Sequence, residues 1–121
     1  MSLINFRHLF RAGLFSLAGL RRAWQNEQAF RHEVIVLAIM ALVLAVLRPG
    51  LGWTAAAFAG WLFVMALELL NSAIEEAFDL ISPDYNIHVK YGKDMASGAI
   101  LIGLIANAGL WRCLLLDTFA K

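Results

Sequence analysis

The chain has 121 residues, of which 61% are hydrophobic and 16% are charged, and its mean hydropathy is +0.70. An ordinary soluble domain is about half apolar and about a quarter charged, and so short a chain cannot hide this much apolar surface in one small core. The composition therefore excludes an ordinary soluble globular protein and favours a membrane protein. No nucleic-acid partner is expected, and the net charge of +1 decides nothing by itself.

The N-terminal segment, residues 3–25, is predicted to form an amphipathic helix. At about 100° per residue, Arg7, Arg11, Arg22 and Gln25 fall on one side, and apolar side chains recur elsewhere at helical intervals. Because apolar spans follow, we expect this helix to lie on a membrane surface with its Arg side chains among lipid phosphates. The alternative is an amphipathic helix packed on protein. No signal peptide is expected, since the segment lacks a continuous apolar stretch and a small-residue cleavage site.

Three apolar runs follow, and each is long enough to cross a bilayer, which takes about 20 residues. The predicted transmembrane helices cover residues 29–48, 53–81 and 94–117. A turn at 48–52, "RPGLG", joins the first two, and the polar loop 82–93 joins the last two. The sequence thus predicts a single all-α integral membrane domain.

The distribution of basic residues predicts how the chain is oriented. Most Arg and Lys residues lie in the N-terminal segment and in the 82–93 loop, whereas the other side has Arg48, Arg112 and Lys121. The positive-inside rule therefore places the N-terminus and the 82–93 loop in the cytoplasm.

Small residues recur at helical spacing within the spans and predict close contacts between helices. Ala56 and Gly60 form one such pair, and Ala99 and Gly103 form another. Three spans enclose little protein interior, so a homo-oligomer is expected. The only cysteine, Cys113, lies in an apolar stretch and allows no intrachain disulfide.

The stretch "ELLNSAIEEAFD" places carboxylates at the end of the second span. On a helix, Glu68 and Glu75 are about 20° apart and about 10 Å along the axis, and Asp79 continues the same stripe. Glu68 lies deepest, where a carboxylate costs a few kcal/mol. It should therefore face other helices or a wet crevice, and it is the candidate general base.

Acids at the heads of the other spans lie at the same level as this stripe. Glu27 and Glu33 lead into the first span, and Asp94 leads into the third. Carboxylates at this density repel each other unless a cation lies among them, so Glu27, Glu75 and Asp94 are candidate ligands of Mg²⁺. Lys93 could hold phosphate charge, as cations do in phosphoryl transfer.

Simpler interpretations remain open for several of these residues. Glu76 and Asp79 could be merely solvated, Glu27 and Arg31 could be only an i, i+4 helix pair, and Lys93 with Asp94 could cap the third span. His32 and His88 lack metal-ligand spacing, and the tryptophans fit interface belts. The chain has neither a P-loop motif nor the protein-kinase signature set. The residues alone predict a small membrane protein with an interfacial, cation-binding carboxylate site.

Three sequence blocks resemble those of the prokaryotic diacylglycerol kinases, which are small integral-membrane lipid kinases. "ELLNSAIEEAFD" resembles the family signature E-x-x-N-[ST]-A-I-E, and "GLRRAWQNEQAFRHE" and "KDMASGAILI" resemble the two other blocks in order and spacing. The similarity runs from about residue 6 to 116. It implies a surface helix, three spans and a homotrimer. It also implies transfer of the γ-phosphate of MgATP to the hydroxyl of diacylglycerol, giving phosphatidic acid for lipid recycling, at the cytoplasmic face of the bacterial inner membrane.

The resemblance also implies roles for individual residues. Glu68 resembles the general base, and Glu27 and Glu75 resemble the carboxylates that bind Mg²⁺. The ATP-binding positions implied are His8, Phe15, Glu27, Glu75, Asp84, Tyr85, Asn86, Lys93 and Asp94. The lipid-binding positions implied are Ser16, Arg21, Trp24, Ala29, Arg31, Glu33, Glu68, Asn71, Ser97 and Trp111. Two positions depart from the family pattern, because His8 stands where an Arg is usual and His32 replaces a Gln.

Three other functions would each explain part of the sequence. The segment "MASGA" shares features with the related undecaprenol kinases, whereas the N-E-x-A-F-R-x-E block favours diacylglycerol. A small proton-coupled exporter would explain Glu68, but it explains neither the acids on the other spans nor the Lys93–Asp94 pair. An accessory subunit would show no catalytic activity when purified.

Overall fold

The computed structural model describes residues 4–120, which fold into four α-helices. They are α1 (Phe6–Asn26), α2 (Gln28–Leu47), α3 (Leu51–Ile81) and α4 (Ile87–Phe119). The last three are long and apolar enough to cross a membrane. The prediction of an all-helical, multi-pass membrane protein is therefore confirmed. The predicted start of the first helix at residue 3 lies outside the described residues.

Glu27 alone forms the elbow between α1 and α2, and its backbone is extended at φ −110° and ψ 106°. The Glu27 N–H donates to the carbonyl of Ala23 at 2.8 Å. The Arg31 guanidinium, through Nη1, donates to the carbonyls of Trp24 at 2.9 Å and Gln25 at 3.2 Å. These carbonyls lie in the last turn of α1, where intrahelical donors run out. Arg31 therefore ties the end of α1 to the start of α2.

The two remaining connections are tight. Arg48 takes a left-handed conformation at φ 50°, and Gly50 has φ 109°, which favours glycine. The α3–α4 connection is shorter than expected, because α4 begins at Ile87 and residues 87–93 are helical. The Asn86 side chain caps the helix by accepting from the N–H groups of His88 at 2.8 Å and Val89 at 3.4 Å. The first turns of α4 are too polar to show an apolar pattern, which explains why the sequence suggested a loop.

α3 lies between α2 and α4 and packs most extensively on α4. One buried cluster joins the three spans near the 48–50 turn through Met40, Leu44, Ala57 and Leu114. A second cluster joins α1, α2 and α3 through Ala23, Phe30 and Met65. Trp61 touches both clusters, and its indole donates to the carbonyl of Glu33 at 2.9 Å. This bond fixes α2 against α3 at the level of the acids.

Much of the apolar surface stays uncovered in the single chain. Val46 is 82% exposed, and Leu42 and Ile102 are each 70% exposed. Such surface requires lipid or further protein around it. At about 1.5 Å per residue, α3 is about 46 Å long, well beyond the roughly 30 Å of hydrocarbon in a bilayer. The polar C-terminal end of α3 accounts for this excess.

Candidate functional site

The deepest acid, Glu68 on α3, is half-buried, and its carboxyl group faces that of Glu33 on α2 at hydrogen-bonding range. Glu27 and Glu75 lie close enough to Glu68 to repel its charge. The Oε2 atom of Glu33 is buried and accepts no hydrogen bond from residues 4–120. Carboxyl groups in this arrangement repel each other unless they share a proton, bind a donor or have a cation between them. The cluster is therefore suited to accept a proton or to meet a positively charged group.

Asn71 extends the polar strip by one turn of α3. It is only 8% exposed, and its Nδ2 lies 3.5 Å from Oε1 of Glu75. Its Oδ1 is buried, and no donor in the described part of the chain reaches it. A buried amide oxygen without a donor is costly, so this oxygen is available to a hydroxyl group or a cation next to Glu75.

A cavity of about 650 Å³ lies between α1 and α3. Its polar lining comes from Ser16, Arg22, Glu27, Ser72 and Glu76. Gly19, Leu20, Ala23, Leu69 and Ala73 supply the apolar part of its wall. A cavity with both kinds of lining suits an amphiphile that has a polar head and an apolar body.

A second cavity, of about 400 Å³, lies at the connection between α3 and α4. It is lined by Asp79, Ser82, Pro83, Asp84, Tyr85, Asn86, Val89, Lys90, Lys93 and Asp94. The fold therefore brings the predicted nucleotide-binding residues of this region together. Lys93 Nζ contacts Asp79 Oδ1 at 2.6 Å, and Lys90 Nζ contacts Asp94 Oδ2 at 2.6 Å. Ion pairs this exposed contribute little to stability, so an incoming phosphate could compete for either lysine.

Other predicted site residues lie apart from these cavities in the single chain. His8 and Phe15 are exposed on α1, and His8 is about 28 Å from Glu27 along the helix axis, at about 1.5 Å per residue. Trp111 packs beside the buried cluster near the 48–50 turn, at the far end of the spans. Arg21, Trp24, Ala29 and Ser97 are exposed helix residues.

Residues that the sequence analysis did not assign to a substrate site also line the cavities. Arg22, Ser72 and Glu76 face the cavity between α1 and α3, and Asp79 pairs with Lys93. Helical spacing carried a signal for this, since Leu69, Ser72, Ala73 and Glu76 recur at i, i+3, i+4 and i+7 on one face of α3. Which face meets α1 depends on the elbow at Glu27, and no local pattern encodes the angle of that elbow.

The arrangement of the acids decides which kind of metal site they could form. Within residues 4–120, no three His, Cys, Asp or Glu side chains group closely enough to hold a metal ion together. Mg²⁺ usually takes only one or two carboxylates and completes its shell with water and substrate phosphate. Glu27 and Glu75, whose charges both act on Glu68, together with the unpaired Asn71 oxygen, are compatible with this second pattern.

Comparison with known proteins shows that most of this chain is similar to members of one family. Residues 14–115 match the family model described as prokaryotic diacylglycerol kinase. A Helicobacter pylori (strain J99) protein named diacylglycerol kinase is 40% identical over 95% of this chain and 90% of its own length. An Escherichia coli K12 protein of the same name is 35% identical over 95% of this chain and 94% of its own length. A Haemophilus influenzae protein of that name is 37% identical over 86% of this chain and 88% of its own length.

Proposed function

The chain belongs to the prokaryotic diacylglycerol kinase family, and we propose that it transfers the γ-phosphate of ATP to diacylglycerol with Glu68 as the general base. Its function is that of a diacylglycerol kinase, a phosphotransferase acting on a lipid alcohol. The placement of Glu68 carries the assignment of the base. It is a half-buried acid within a span that faces Glu33 and lies within range of the charges of Glu27 and Glu75.

In the proposed reaction, Glu68 accepts the proton of the primary lipid hydroxyl as the hydroxyl oxygen attacks the γ-phosphorus of ATP. The new oxygen–phosphorus bond forms while the bond to the β-phosphate bridging oxygen breaks, and ADP leaves with that electron pair. The products are phosphatidic acid and ADP, and the proton stays on Glu68 until it is released to water.

The two cavities would divide the substrates between them. The mixed polar and apolar cavity between α1 and α3 suits the lipid head and the first part of its acyl chains. The cavity beside Lys90 and Lys93 suits the nucleotide, whose phosphates would displace Asp79 or Asp94 from a lysine. Glu27 and Glu75 would hold Mg²⁺, which neutralises phosphate charge during the transfer.

The remaining assignments extend to the whole protein. Arg and Lys residues concentrate in α1 and at the start of α4, which supports a cytoplasmic position for both and, with it, a reaction at the inner face of the cytoplasmic membrane. Lipid or further copies of the chain must cover the exposed apolar surface, and the proposed arrangement is a homotrimer with α1 lying on the membrane surface. A mass measurement in detergent tests the number of copies.

The experiment that tests the function compares two lipid alcohols side by side. Purified protein in lipid bilayers with MgATP should phosphorylate diacylglycerol in clear preference to undecaprenol. Faster turnover of undecaprenol would instead assign the protein to the related branch. ATP-independent proton exchange without lipid phosphorylation would support an exporter.

Glu68→Gln tests the base within the same assay. Because the amide cannot accept the proton, kcat should fall by about 100-fold or more, the usual contribution of general-base catalysis. Asp117→Asn is the matched control, since Asp117 lies near the end of α4 and its replacement can still accept the Trp53 indole N–H. Full activity of a correctly folded Glu68→Gln protein would refute the assignment of the base.

A further inference from the structure

A buried amide lies in the middle of the contact between α3 and α4. Asn107 on α4 is only 7% exposed. Its Nδ2 donates to the carbonyl of Gly60 on α3 at 3.0 Å and to the carbonyl of Gly103 on its own helix at 2.9 Å. A polar side chain within a span is costly unless it is hydrogen-bonded. The bond to Gly60 is therefore a directional link between two apolar helices.

The link depends on the absence of a side chain at residue 60. A Cβ atom placed on Gly60 would lie 2.8 Å from Oδ1 of Asn107, closer than side chains tolerate. This Oδ1 is itself buried, and no donor within residues 4–120 bonds to it. The amide thus lies directly against the backbone of α3. A helix partner can approach Asn107 this closely only at a glycine.

The link also lies between the contacts that join the ends of the two helices. At the polar end Lys93 pairs with Asp79 at 2.6 Å, and at the other end the Trp53 indole donates to Asp117 at 2.8 Å. Both end contacts involve exposed groups, so water competes with them. The Asn107–Gly60 bond is shielded and so constrains sliding of α4 along α3 most directly. Gly60 is about 12 Å from Glu68 along α3, at about 1.5 Å per residue.

We propose that Asn107 is a positioning residue, whose bond to Gly60 sets the register of α4 against α3. The inference rests on the proposed function, because α3 carries the base Glu68 while α4 carries Lys93 and Asp94 of the nucleotide cavity. A shift in register would misalign the lipid hydroxyl, held near α3, with the γ-phosphate, held near α4. Such misalignment lowers the rate of the chemical step more than it weakens the binding of either substrate.

The test is a double-mutant cycle on the full-length protein in bilayers. Asn107→Ala should lower kcat by about 3- to 20-fold, corresponding to the measured range for interhelical hydrogen bonds in membranes, with both KM values unchanged. Gly60→Ala should lower kcat at least as much in the wild-type background and have no further effect in the Asn107→Ala background. Gly109→Ala, on α4 with no atoms near its Cβ position, is the matched control and should stay fully active.

Two results would overturn the proposal. One is an Asn107→Ala protein with unchanged kcat, and the other is an equal loss from Gly60→Ala in both backgrounds. If Gly60→Ala alone fails to fold, the double variant must still fold and match Asn107→Ala, because it lacks the clash. Thermal unfolding of the same proteins should show the same non-additivity whether or not the wild type is active as a lipid kinase. Failure of the proposed function can therefore be distinguished from failure of the register proposal.

Discussion

Glu33 contributes to the site through both its backbone and its side chain. Its carbonyl accepts the indole N–H of Trp61, and its carboxyl faces Glu68; both of these partners are on α3. Both contacts join α2 to α3, so the apposition of the two acids follows from how the helices pack. Neither contact can be predicted from local sequence, because each joins a residue of α2 to a residue of α3 that is far along the chain.

The acids at the edge of the membrane lead to a prediction about metal dependence. Glu75→Gln and Glu27→Gln should each raise the Mg²⁺ concentration for half-maximal activity by about ten-fold or more, because loss of a ligand weakens a site at least as much as loss of an outer-shell partner. Titration of Mg²⁺ at saturating ATP measures this shift. Arg112→Gln, an exposed change near the far end of α4, is the control. Unchanged Mg²⁺ dependence in both Gln variants would argue against an ion held by carboxylates.

At the scale of elements, the ends of the helices are specified by single residues. Arg31 was predicted to contact lipid, and the structure uses its guanidinium to bind carbonyls at the end of α1. Asn86 was predicted to contact ATP, and its side chain caps α4. One side chain can both cap a helix and contact a substrate only if it has a polar atom that the cap does not use. Variants that keep one role and remove the other can separate them.

Asn86 offers such a separation. Asp caps helices as well as Asn does, whereas Ala removes the cap at a cost of about 1 kcal/mol. If Asn86 acts through the cap, Asn86→Asp should keep the wild-type KM for ATP, and Asn86→Ala should raise it and lower the unfolding temperature. Direct contact with phosphate predicts the reverse order for KM, since the Asp carboxylate would repel the nucleotide. Steady-state kinetics in bilayers together with thermal unfolding decide between the two.

For the molecule as a whole, the sequence predicted the helices and spans more completely than it predicted which residues group in the site. Apolar runs of bilayer length predicted the spans, and Gly50 marked the turn before α3. Helical spacing also predicted close helix contacts at Gly60 and Gly103, and both residues lie where α3 meets α4. The start of α4 was placed too late because its first turns are polar. The grouping of Arg22, Ser72 and Glu76 in one cavity depends on the elbow at Glu27, and this angle comes from tertiary contacts such as those of Arg31.

The orientation of the whole molecule can be tested by chemical labelling in intact cells. Leu51, beside the turn between α2 and α3, is 87% exposed, and Tyr85, in the α3–α4 connection, is 81% exposed. With Cys113 replaced by Ser, Leu51→Cys should react with a membrane-impermeant thiol reagent added outside, and Tyr85→Cys should react only after the membrane is permeabilised. The excess of basic residues on the Tyr85 side is the physical reason, because such segments stay in the cytoplasm. The opposite pattern would place the nucleotide cavity outside the cell, away from ATP, and would contradict both the topology and the kinase reaction derived from it.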